Sequence, residues 1–160
     1  MGQATLVVLA ALFVVGLLLK GWVVFLRRRG LARLGDEPRL VHARGVSVRA
    51  YVEGGRWRGL APRRAYRTTA DMAVTSKRFV LSSGRGIWVD RPAGSNEGLR
   101  ARSTGPGRLV LEGEVQGNKA TVLYRLELVV ADANAWVRAL GPFATCEGPV
   151  FTKGPPTRPS

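Results

Sequence analysis

Three patterns of hydrophobic and polar positions succeed one another along the chain. The first, Ala4 to Leu26, is apolar almost throughout, with Lys20 its one charged residue, and Arg27, Arg28 and Arg29 close it. A helix rises about 1.5 Å per residue, so a run of this length crosses a hydrocarbon core roughly 30 Å thick. The pattern predicts a single transmembrane helix, with residues 1–29 forming an anchor with a basic stop. Lys20 lies close enough to one end for its stem to snorkel towards the headgroups. Trp22, Arg27, Arg28 and Arg29 are then the expected interface anchors. A cleaved secretory signal has its basic residues before a shorter apolar run; here they follow a longer one. Because basic residues are retained in the cytoplasm, everything after the helix is expected on the cytoplasmic side.

Residues 30–38 read as a linker, because Gly30, Gly35 and Pro38 interrupt a helix; Leu31, Ala32 and Leu34 either extend the helix briefly or rest on the membrane surface. From Arg39 the period changes to two. Val46, Val48, Ala50 and Val52 alternate with Ser47, Arg49, Tyr51 and Glu53, as in a half-buried strand. Residues 57–67 are basic and irregular. Shorter strands are expected at 69–75, 78–82, 87–90, 99–103 and 108–115, separated by turns rich in Gly, Pro, Ser and Asn. A longer one runs over 120–130, with Val122, Tyr124, Leu126 and Leu128 on one face.

The third pattern is helical. Asp132 is an N-cap, and Ala133, Trp136, Val137 and Leu140 repeat at i, i+3, i+4 and i+7 before Gly141-Pro142 stops the helix. Residues 144–160, with four prolines among polar residues, predict a disordered tail. The whole is mainly β: after the anchor, about seven strands make a bent sheet or partial barrel over residues 39–143. One C-terminal helix closes an end of it, with Trp136 and Leu140 in the core.

That element order resembles the pleckstrin-homology-like (PH-like) domains of small actinobacterial membrane proteins. The segment MAVTSKRFVLSSG, Met72 to Gly84, resembles their strand-turn-strand, and DANAWVRAL, Asp132 to Leu140, their closing helix with a buried Trp. The resemblance implies a non-catalytic domain, one in which loops at the open end of the sheet do the binding.

Charge sharpens this expectation. The chain carries 25 Lys and Arg against 11 Asp and Glu, a net charge of +14. Beside a membrane such a protein is drawn to anionic headgroups, although the arginine usage of a GC-rich genome raises the same count. The one cysteine, Cys146, rules out an intrachain disulfide and suits a reducing compartment. His42 is the sole histidine and has no partner at ligand spacing, so neither a metal site nor a Ser-His-Asp arrangement is expected. Glu112 and Glu114 share a strand face, and each is expected to pair with an arginine or face solvent. The glycines near Gly84 and Gly105 fit no phosphate-binding fingerprint. No catalytic residue or cofactor is expected. Arg56, Trp57, Arg58, Arg63 and Arg64 remain as candidate contacts to anionic lipid or an acidic partner. The tether disfavours nucleic acid, for which a basic and aromatic stretch is otherwise suited. The expected function is a membrane-anchored interaction module whose partners are the bilayer or a membrane protein. An accessory subunit of a transport or export complex is the alternative.

Overall fold

A computed structural model describes residues 3–32, 34–95, 98–116 and 120–145. Its elements are α1 (Gln3–Ala32), β1 (Arg39–Glu53), β2 (Ala65–Thr75), β3 (Arg78–Ser83), β4 (Gly86–Pro92), β5 (Leu99–Gly105), β6 (Arg108–Gln116), β7 (Thr121–Val129) and α2 (Ala133–Leu140). The seven strands form one antiparallel sheet in the order β4-β3-β2-β1-β7-β6-β5. The sheet curls into a half-barrel.

The concave face is the core. Alternate residues Val48, Ala50 and Val52 of β1 point into it, with Leu126, Leu128, Leu109 and Leu111 from β7 and β6. Tyr124 needs room there. Its register partner on β6 is Gly113, and any Cβ at that position would run into the Tyr124 ring. The α2 helix closes one end. The Asp132 carboxylate accepts from the Ala135 N–H at 2.9 Å, and Ala133, Trp136 and Leu140 turn into the core.

Three boundaries differ from expectation. The first is that of β2, which begins at Ala65, inside the stretch expected to be irregular. β1 begins at Arg39, where the change of period is expected, although its clear alternation starts later. Its pairing with β2 slips between Ala43 and Val46, where Gly45 takes a left-handed φ of 64°. That bulge shifts the side-chain alternation and hides the first half of the strand. The body also extends past residue 143. Thr145 bonds β5 as a short parallel bridge, donating to Leu99 O at 2.9 Å and accepting from Ala101 N at 3.2 Å. The rest of the expected tail, Cys146 included, lies outside the described residues.

The third difference concerns 30–38. The α1 helix does not stop at Gly30; it runs on to Ala32 and lies against the outer face of β2, β3 and β4. Leu31 and Leu34 form a second small core with Ala73, Val80 and Ile87. Gly30 packs directly on Ser82, and Gly84 on Val23: a Cβ at Gly84 would stand 2.7 Å from Val23 Cγ1. Gly lowers helix propensity by about 1 kcal/mol, and the burial that its bare Cα permits here offsets that. A turn at Leu34–Glu37 then leads into β1, held by Thr75 Oγ1 donating to Glu37 Oε2 at 2.7 Å.

Candidate functional site

The antiparallel registers sort the connections between the two ends of the half-barrel. Near α2 lie the β2–β3 and β5–β6 turns. At the other end lie the 54–64 segment between β1 and β2, the Gly84–Arg85 turn, and the Gln116–Thr121 pair of β6 and β7. This second end is open, and it is the end at which α1 leaves the sheet, since Val23 lies at Gly84 and Leu31 a strand's length away at Val80.

Residues 54–64 form a built loop. Trp57 and Leu60 exchange backbone hydrogen bonds at 3.1 and 2.8 Å, and the Arg63 N–H donates to Val52 O at 2.8 Å. Both Trp57 and Leu60 are buried. The Trp57 ring lies flat on Tyr124, centroids 4.2 Å apart at 2°, and tilts against Trp88 at 5.9 Å. Trp57, expected among the outward contacts, is therefore the plug that anchors the loop. No periodicity could have shown this, because its two neighbours in sequence are exposed arginines.

Arg56, Arg58, Arg63 and Arg64 are all exposed, with no acid among the loop's residues. Arg58 and Arg63 have left-handed φ values of 48° and 60°, a conformation costing about 1–2 kcal/mol for a residue with a Cβ. Two arginines from outside the loop, Arg85 and Arg91, stand beside it. Arg85 ties the turn to this loop, donating to Gly59 O at 3.5 Å and lying 5.7 Å over the Tyr66 ring. Arg91 faces the Tyr124 hydroxyl from β4.

Between β4, the loop and the Val115–Gln116 and Ala120–Val122 ends of β6 and β7 lies a cavity of about 790 Å³. Its floor includes the buried Trp57, Trp88, Val122 and Tyr124, and its rim carries Arg56, Arg58 and Arg91. Burial holds the Tyr124 phenol above the ordinary tyrosine value, and the Arg91 guanidinium opposes this.

The other expectations fall elsewhere. Trp22 is exposed on α1, with its ring 6.2 Å from Phe25; the side chains of Arg27, Arg28 and Arg29 lie outside the described residues. His42 is exposed on β1, opposite Ala73. Glu112 is buried on the outer face against Arg102 at 3.5 Å and Arg125 at 3.7 Å. Glu114, on the same face, is exposed. Among the described residues no cluster of His, Cys, Asp or Glu could hold a metal ion. One helix, over Val7–Ala32, is long and apolar enough to cross a membrane. Comparison with protein-family models, curated proteins and solved structures finds no match.

Proposed function

We propose that this chain is a membrane-anchored, non-enzymatic interaction module of the PH-like kind, held at the cytoplasmic face with its arginine-bearing open end turned to the bilayer. The observation that carries the reading is the packing of Val23 on Gly84. It makes the end where the helix departs the same end that bears loop 54–64. From Gln3 to Trp22, about 20 residues, the helix rises roughly 30 Å, the thickness to be crossed. Trp22 and Phe25 then stand at the interface, level with the loop, and Lys20 reaches the headgroups. Arg56, Arg58, Arg63, Arg64 and Arg85 face anionic lipid, each worth about 1 kcal/mol near such a surface. The lower part of α1 belongs to the domain.

The test uses trypsin, which cuts after arginine. The full chain is reconstituted into neutral or anionic vesicles with the domain outward. On anionic vesicles, cleavage after Arg58, Arg63 and Arg64 is slowed several-fold at low salt and restored at high salt. Equal cleavage on both at low salt rejects the lipid contact. Recovery of the full-length protein in the supernatant of lysed cells rejects the anchor.

A further inference from the structure

We infer that the cavity in the open end binds a single anionic amphiphile, its charged group on Arg56 and Arg58 and its adjoining apolar carbons against Trp57, Trp88 and Val122. This rests on the reading that the open end faces a bilayer, the source of such a molecule.

The cavity exists because the sheet does not close. β4 is one edge of the sheet, and β6 runs on to Val115 and Gln116, past the Glu114 N–H bond to Gly98 O at 3.0 Å that extends its pairing with β5. A slot is left between β4 and the end of β6, and its size falls within the range of small-molecule sites, about 300–1,000 Å³. Two chemistries meet in it. The floor is aromatic and aliphatic, and Val115 continues the apolar surface outward to a rim position 39% exposed. The rim is cationic, and Asp90, the one acid among the described residues of the wall, is bonded to Arg78 at 3.0 Å. The Trp88 indole N–H, in the same wall, is buried without an acceptor, which makes it a donor for an oxygen that enters.

A bare anion would leave the aromatic floor without contact, and a neutral amphiphile would leave Arg56 and Arg58 without a counter-charge. A molecule with one anionic group next to an apolar body satisfies both. The left-handed Arg58 belongs to this arrangement, since strained backbone persists where the surroundings impose it.

The experiment follows the four indole N–H signals by NMR, with the full chain in discs of zwitterionic lipid. Decyl phosphate should move the Trp57 and Trp88 signals saturably while leaving Trp136, at the α2 end, in place. Decyl maltoside and inorganic phosphate should each do so at least tenfold more weakly. The paired changes Arg56→Ser and Arg58→Ser should weaken the response roughly tenfold, as for one lost charge-assisted hydrogen bond. Val115→Phe, which narrows the mouth, should weaken it too. An equal response to decyl maltoside reduces the site to apolar partitioning, and an equal response to phosphate reduces it to an anion site; either overturns the proposal. Unmoved signals alongside intact trypsin protection on anionic vesicles reject the cavity and leave the module standing. Loss of both rejects the module as well.

Discussion

Gly30, in the last turns of α1, lies directly on Ser82 of β3, with no space for a methyl group between them. A membrane-length helix and a β domain are commonly joined by a slack linker. Here the helix is packed on the sheet, and the contact depends on a residue that ordinarily weakens helices. Gly30→Leu should destabilise the domain by about 3 kcal/mol through overpacking and speed amide exchange in β3. Gly16→Ala, at a position with nothing within 4 Å, should do neither. Comparing thermal unfolding and hydrogen exchange of the two variants in the same lipid discs checks this.

The stacking of Trp57 on Tyr124 separates two kinds of residue inside one loop. Trp57→Ala should cost about 3–5 kcal/mol, the usual loss for a buried Trp. Changing the exposed Arg56 or Arg64 to Ser should move stability by less than about 0.5 kcal/mol. Arg58→Gly and Arg63→Gly should each stabilise the fold by about 1 kcal/mol, because glycine adopts a left-handed φ without strain. Thermal unfolding of the five variants in discs orders them.

The Glu112 carboxylate is buried on the outer face with Arg102 and Arg125 against it. Breaking a buried ion pair from one side leaves uncompensated charge. Glu112→Gln should therefore cost about 2–3 kcal/mol, at the low end for such pairs because Arg102 is part-exposed. Arg102→Gln should cost less, since Arg125 keeps the carboxylate partnered. Urea midpoints of the two variants test the order.

Alkaline pH should destabilise the domain through its tyrosines. Burial favours the neutral phenol of Tyr124, and burial with Glu53 beside it does the same for Tyr51. Both pKa values are raised on folding, so their contribution is fully present below about pH 10, the unfolded value, and is lost as pH climbs above it. Tyr124→Phe should flatten that fall, as measured by thermal unfolding between pH 9 and 11.

Much of this architecture was legible in the chain. The period-two alternation of Val122, Tyr124, Leu126 and Leu128 placed β7, and the Asp132 cap with Trp136 and Leu140 placed α2, because each signal is local and its neighbours do not interfere. The misreadings share one cause: the deciding partner is distant in sequence. Gly30 reads as a helix breaker until β3 is known to lie against it. Trp57 reads as a surface aromatic between two arginines until Tyr124 is known to receive it. The bulge at Gly45 conceals half of β1. The cavity could not be read at all, since its walls come from residues 54–58, from 88–91, and from Val115, Gln116, Ala120, Val122 and Tyr124.

The docked lower third of α1 has a mechanical consequence. A domain on a slack tether sweeps a hemisphere and meets whatever drifts by. This one has no swivel, so a single face is offered at a single height and bearing. With the open end facing a bilayer as proposed, only molecules lying in one thin layer would reach it, and a tilt of the rod would carry the mouth with it.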